Sequence, residues 1–273
     1  MNRYLQRGCS AIVTGAASGF GKGLADALVE RGLKVLYTDI NAAAVEAAAT
    51  ATGAAWQMLD VTDAAAVARC IDAFAARHGK LDLIINNAGF AVAGEARDTS
   101  PADFRQIVEV NLMGVVNGAL PAYQRMVAQG GGHVVNIASL AGLVPFPLCA
   151  SYAMTKAGVV NFSHSLCCEG AALGVQVSVV CPSFIDTSIF DNARYVKQDK
   201  SALTSMLVFP MMRLDQAVRA TLAGIERQQA TIIFPFHARL LWRLTRLWHQ
   251  VPNFLTNLML RKLRERAPDA TSK

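Results

Sequence analysis

Short, nearly continuous apolar runs alternate along the chain with longer, alanine-rich stretches of helical period. "CSAIVTG" (9–15) predicts a buried strand entering a glycine-rich turn, and "FGKGLADALVERG" predicts the helix behind it, closed by Gly32. "KVLYTD" (34–39) is the second strand; "NAAAVEAAATATG" (41–53) is a helix with Asn41 as N-cap and Gly53 past its end. "AAWQMLDV" is the third strand, a helix covers 63–79, and "LDLIINNAG" (81–89) is the fourth strand. One long helix is expected over 100–129, with Pro101 in its first turn. "GHVVNIAS" (132–139), a helix over 151–173 and "VQVSVVCPS" (175–183) follow, then a loose region 183–213, a helix 214–228 and the strand "ATIIFP". Apolar strands without polar alternation are what a sheet covered on both faces requires. Strict strand–helix alternation therefore predicts a doubly wound parallel α/β sheet of the Rossmann type: one domain over 1–235, and a C-terminal amphipathic extension over 236–273.

Composition narrows the class. With 273 residues, 53% hydrophobic and 17% charged, the chain builds a sizeable core, and global disorder is excluded. No apolar run reaches the roughly 18 uncharged residues of a spanning helix, and "MNRYLQRGCSAIVTG" lacks a secretory apolar segment, so the cytoplasm is the expected location. The six cysteines show neither CxxC nor Cys/His metal spacing; they read as reduced core thiols, with no metal site. Eight basic residues after position 235 face only Glu265 and Asp269, which accounts for the whole formal charge of +6 and leaves the body neutral.

The turn "TGAASGFG" follows a strand and opens a helix, the context that gives a glycine-rich loop its meaning. Gly15 permits the tight turn, Gly19 lets main chain approach a pyrophosphate, and Gly21 lets helix pack on strand. Asp39 ends the second strand, where a carboxylate accepts from both adenosine ribose hydroxyls; its other role would be to cap the helix that follows. Ile40 follows it, and Ser18 takes the other position where a cation would greet a 2′-phosphate. NAD(H) is the expected cofactor rather than NADP(H). "SYAMTK" sets Tyr152 and Lys156 one helical turn apart, and Ser139 ends the fifth strand. An ammonium near a phenol favours the phenolate and draws its pKa toward the working range.

These motifs, in this order, resemble the short-chain dehydrogenase/reductase superfamily over about residues 10–235: "TGAASGFG", Asp60 in "LDV", "NNAG" at 86–89, Asn111, Ser139, "YAMTK" and "PSFIDT" at 182–187. The resemblance implies Tyr152 as general acid/base, Ser139 as the group polarising the substrate oxygen, Lys156 lowering the Tyr152 pKa and holding the nicotinamide ribose, and Asn111 supporting a water relay. It further implies cofactor contacts from Gly15, Ser18, Gly19, Phe20, Gly21, Asp39 and Ile40. Asp60 and Val61 would meet adenine, Asn87, Ala88 and Gly89 would back the adenosine, and Pro182 and Thr187 would lie at the nicotinamide. Ser183 departs from the family's usual glycine, and Phe20 from its usual Ile or Leu. A homodimer or homotetramer is the assembly so implied.

The region 183–213 carries Phe184, Ile189, Phe190, Tyr195, Met206, Leu207, Val208, Phe209, Met211 and Met212. "GLVPFPLC" adds Leu143, Val144, Phe146 and Leu148. Few charges accompany them, which favours a bulky lipophilic alcohol or ketone of steroid, retinoid, long-chain or aryl type. A non-redox enzyme, an NAD sensor or a membrane-tethered interaction protein on the same scaffold is the alternative. Residues 236–266 form two basic amphipathic pieces divided at Pro252, with Trp242 and Trp248. They suit peripheral contact with a membrane, or packing on the domain or on a partner copy. No nucleic-acid reading motif accompanies them.

Overall fold

Alternation within each strand explains the layers of this protein. Its structure, a computed structural model, describes residues 3–187, 189, 193–198, 200–201, 210–247 and 260. The strands are β1 (Ser10–Thr14), β2 (Lys34–Asp39), β3 (Ala55–Met58), β4 (Leu83–Asn86), β5 (Val92–Ala93), β6 (Gly132–Ile137), β7 (Val175–Pro182), β8 (Arg194–Tyr195) and β9 (Thr231–Phe234). Seven of them form one sheet in the order β3-β2-β1-β4-β6-β7-β9, every pairing parallel. The register places Ile12 beside Leu36 and Ile84, and these share one apolar layer with Val134. Their neighbours Ala11, Val13, Leu83, Ile85 and Val135 belong to the other layer.

Helices α1 (Gly19–Glu30) and α2 (Ala42–Thr50) cover the second of these layers, together with α7 (Leu214–Glu226). The opposite face is covered by α3 (Ala64–His78), α5 (Gly114–Ala128) and α6 (Ala150–Gly170). There α8 (Phe236–Leu247) joins the layer over β7 and β9. The doubly wound parallel sheet expected from the sequence is the observed fold. Local chemistry agrees: Asn41 accepts from Ala44 N to cap α2, Asp63 accepts from Ala66 N to cap α3, and Gly79 ends α3 at φ 82°.

Three details differ from the sequence reading. The expected helix 100–129 is two helices, α4 (Pro101–Val108) and α5, joined by a π-turn at Glu109–Met113. Gly114 N–H bonds Glu109 O across five residues, and Asn111 lies inside this bulge. Strand β3 is exposed along all four residues, because it is the sheet edge. The loose region 183–213 is pinned where it is described: β8 pairs with β5, and Ile185 bridges to Met212. Arg194 pairs with the buried Asp103 at 2.8 Å, and Lys197 with Asp98 at 2.9 Å. Phe190, Met206, Leu207, Val208, Phe209, Trp248 and, apart from residue 260, the piece around 253–266 lie outside the described residues.

Candidate active site

Strand order reverses between β1 and β4, and parallel sheets bind ligands beyond the carboxyl ends of strands at such a point. A cavity of about 500 Å³ opens there. Its wall contains Gly15, Ser18, Gly19, Phe20, Gly21, Asp39, Ile40, Asp60, Val61, Asn87, Ala88, Gly89, Ser139, Tyr152, Lys156, Pro182 and Thr187. Residues of α1, β2, α6 and β7 thus converge with those of the loops that follow β1, β3, β4 and β6. Of the catalytic and cofactor residues named from sequence, Asn111 alone is absent from the wall.

The first turn is built for close approach. Gly15 has φ +64°, and a Cβ there would sit 2.8 Å from Ala88 Cα. A Cβ on Gly21 would drive into the Gly15 carbonyl and the Asn87 amide, so α1 seats against the turn only because this residue is glycine. The sequence did not reveal the brace beneath: Thr14 Oγ1 accepts from Asn87 N at 2.9 Å and Ala88 N at 3.1 Å, while Asn87 Nδ2 donates to Thr14 O and Gly15 O. These partners are about 73 residues apart in sequence, so only the β1–β4 pairing brings them together. Ser18 caps α1 without a side-chain bond, and the first turn of α1 holds no acidic residue, which leaves that helix end suited to an anion.

Asp39 is held at both oxygens. Oδ2 accepts from Ala17 N at 3.1 Å and Oδ1 from Asn41 N at 3.0 Å. Asn41, not Asp39, caps α2, so the capping role weighed for Asp39 falls away. Asp60 Oδ1 accepts from Thr62 N and Thr62 Oγ1, and the Val61 carbonyl accepts from Asn117 Nδ2. Ser183 donates its N–H to Phe234 O and is not among the residues with positive φ, so serine carries no backbone strain where the family pattern has glycine.

At the other end, Lys156 is buried and its Nζ donates to Ile137 O at 2.9 Å, 5.6 Å from the centre of the Tyr152 ring. Burial pushes the Tyr152 phenol up to about 12, with the Ser139 hydroxyl opposing the shift; burial also pushes the Lys156 ammonium down to about 8. The sequence reading had Lys156 draw the phenol's pKa down. In the protein alone desolvation dominates, and the ammonium is directed to a backbone carbonyl. Asn111 is fully buried, its Oδ1 accepting from Phe90 N and its Nδ2 donating to Phe90 O. It backs Gly89, whose Cβ position would lie 3.0 Å from Asn111 Oδ1 and 3.7 Å from Lys156 Nζ.

Next to Tyr152 the wall is apolar, with Phe146, Cys149, Phe184 and Ile189, and Phe90, Val110 and Gln106 also line the cavity. The Phe146 and Phe184 rings meet at a tilt of 56°, their centres 5.3 Å apart. Tyr195 and Met211 pack behind Cys149. Leu143 and Val144 belong instead to the layer beneath α8, Met212 packs on the opposite layer, and Leu148 is buried at φ 62°. Only part of the expected apolar set therefore faces the cavity: on the loop after Ser139, Phe146 does, while Leu143, Val144 and Leu148 turn into the protein.

A model of the short chain dehydrogenase family matches residues 10–198. The chain belongs to that family. It is 40% identical over 183 residues to a probable oxidoreductase, EphD, of Mycobacterium tuberculosis; the match covers 65% of this chain and 31% of that protein. It thus corresponds to about a third of that longer relative. It is 37% identical over 184 residues to the cis-4-hydroxycyclohexanecarboxylate dehydrogenase of Sinomonas cyclohexanicum, covering 66% of this chain and 74% of that one. A short chain dehydrogenase/reductase from Burkholderia phymatum, solved in complex with NAD, superposes with a TM-score of 0.83 at 25% identity, covering 100% of both chains.

Proposed function

We propose that this protein is an NAD(H)-dependent oxidoreductase that interconverts a bulky, lipophilic secondary alcohol and its ketone. The observation that carries the reading is the division of one cavity. Asp39, Asp60 and the uncapped start of α1 line one end, Ser139, Tyr152 and Lys156 the middle, and an uncharged aromatic and aliphatic wall the other end.

The donor set fits a dinucleotide. The α1 N-terminus and the main chain of Gly15 to Gly21 would receive the pyrophosphate, and Asp39 would accept from the adenosine ribose hydroxyls. Ile40 and Ser18 offer no cation to a 2′-phosphate, which supports NAD over NADP. Asp60 and Val61 would flank adenine, and Pro182 and Thr187 would border the nicotinamide. Bound in its oxidised form, the cofactor supplies the hydride acceptor and a positive charge that favours the phenolate.

The chain's own work is on the proton. In oxidation, Tyr152 Oη as phenolate accepts the proton of the substrate hydroxyl; in reduction it returns that proton to the carbonyl oxygen. Ser139 Oγ donates to the same oxygen and holds it against Tyr152. Lys156, fixed on Ile137 O, keeps a positive charge beneath the phenol. Both polar groups of the Asn111 side chain are spent on Phe90, so a relay at this residue would run over its main chain.

The NAD preference favours alcohol oxidation, although the chemistry is reversible. Related members in the comparisons act on alcohols or ketones by their names, including a hydroxycyclohexanecarboxylate dehydrogenase and a 3-oxoacyl-[acyl-carrier-protein] reductase. The test is a screen of hydrophobic secondary alcohols with NAD, followed by NADH absorbance. Turnover of such alcohols, and none of short charged hydroxy acids, is the expected result; the reverse preference overturns the substrate class. Quenching of protein fluorescence by NAD with no turnover of any alcohol favours the sensor reading.

A further inference from the structure

Helix α8 packs by one face only. Ala238 is fully buried, and Leu241 and Trp242 lie against the layer that contains Ile233 of β9 and Val159 of α6. Arg239 donates to Ile233 O at 3.0 Å, which fixes the helix on the sheet edge. On the opposite side Phe236, Leu240, Leu244 and Leu247 are 77%, 47%, 42% and 82% exposed. At about 100° per residue these four share one stripe about 80° wide, with Arg239, Arg243 and Arg246 along one border of it. A helix that served only to finish the core would be polar on that side.

The chemistry of the stripe names its occupant. The helix contains no acidic residue, and Arg246 lies over the Trp242 ring at 5.4 Å, its charge held at the helix surface. Further along the chain Arg261, Lys262, Arg264 and Arg266 add cations without comparable acid. Two copies meeting on this stripe would bring two rows of three arginines together with no carboxylate between them. Apolar surface bordered by cations instead matches acyl chains beneath anionic phosphates. No described helix is long and apolar enough to cross a membrane, so the contact is with a surface.

We propose that α8 docks this protein on an anionic lipid bilayer, with Phe236, Leu240, Leu244 and Leu247 in the interface and Arg243 and Arg246 at the phosphates. Trp242 and Leu241 share their apolar layer with Leu143 and Val144, on the loop that leads from Ser139 to Phe146. The docked helix is thereby joined, through its packed face, to the loop that carries Phe146 of the cavity wall.

The test uses the full chain, sedimented with vesicles of phosphatidylcholine alone or with about one-third phosphatidylglycerol, at low and high salt. Pelleting with anionic vesicles is expected, at least about ten-fold weaker with neutral ones and at high salt. A Leu240→Glu/Leu247→Glu variant and an Arg243→Glu variant should each lose about ten-fold or more of this binding. All three side chains are exposed, and circular dichroism with unchanged NAD-linked turnover of a water-soluble alcohol would show the variants folded. Equal pelleting of the double variant with wild type overturns the proposal, as does equal binding to neutral vesicles. So does a dimer in analytical ultracentrifugation that the double variant abolishes in a protein that binds no vesicle, which would assign the stripe to a second copy. Vesicle binding without any NAD-linked turnover would strike the proposed activity and leave this docking intact.

Discussion

Replacing Asp39 with serine removes the one carboxylate that reaches both the glycine-rich turn and the start of α2, through Ala17 N and Asn41 N. In the wild type a 2′-phosphate brought to hydrogen-bonding range would meet that charge. A pair of like unit charges about 4 Å apart costs about 4 kcal/mol at an effective dielectric near 20 and about 1 kcal/mol in bulk water. Asp39 is half-buried at the rim of the cavity, between those limits, so about 2 kcal/mol is the working figure, or about 30-fold in relative affinity. Losing the acceptors for the ribose hydroxyls of NAD works in the same direction on the ratio. The assay is kcat/KM for NAD and for NADP with one accepted alcohol. Wild type should prefer NAD by about 30-fold or more, and Asp39→Ser should bring the ratio within about three-fold of unity, through a lower KM for NADP together with a higher KM for NAD. A wild type that uses NADP as well as NAD, or a variant with an unchanged ratio, refutes the reasoning.

Three further outcomes follow from the same geometry. His133 is fully buried, its Nε2 at 2.8 Å from Ser178 Oγ, which itself donates to Gln229 O; burial holds its pKa down at about 4. Because the unfolded chain takes up this proton first, stability is whole above pH 6.5 and falls as pH drops from there toward 4, by about 3 kcal/mol in total. Urea unfolding at pH 7.5 and 5 should show a smaller difference in His133→Gln than in wild type, and an equal difference contradicts this. Gly21→Ala forces a Cβ into Gly15 O and the Asn87 amide, so it should cost about 1–3 kcal/mol in unfolding and about ten-fold or more in NAD affinity by fluorescence titration. An alanine variant that binds NAD normally would mean that the α1 contact is not needed. If Tyr152 is the base as proposed, kcat of alcohol oxidation should rise with pH and that of ketone reduction should fall, both through one apparent pKa below the value of about 12 of the protein alone. A rate of oxidation that declines over that range opposes the assignment.

What the sequence made legible was local or repeated. Apolar runs and a cap such as Asn41 need only neighbours a few residues away, and they placed the seven strands of the main sheet and most of the helices around it within about three residues. The glycine-rich turn, Asp39, Ser139, Tyr152 and Lys156 carry chemistry in short motifs, and the fold gathers them on one wall. Contacts between distant segments were not legible. The Thr14–Asn87 brace depends on two strands pairing, the β5–β8 pair is two residues long, and the π-turn at Asn111 leaves the helical period almost unchanged. The direction of the Tyr152 shift also escaped, because an i, i+4 spacing reports nearness to Lys156 and says nothing of burial. The last helix read as an amphipathic segment with several outcomes. Only its packing by Ala238, Leu241 and Trp242 showed which apolar face is spoken for and which is not.

The central claim is that Tyr152 moves the proton while hydride passes between NAD and a lipophilic alcohol. Single-turnover oxidation by Tyr152→Phe, with NAD binding measured in parallel, tests it most directly. The phenyl ring keeps the apolar packing with Phe146 and Cys149, so NAD affinity should stay within about three-fold of wild type while the rate falls by at least about 10²- to 10⁴-fold. A variant that binds NAD and still oxidises the alcohol at a wild-type rate would contradict the account.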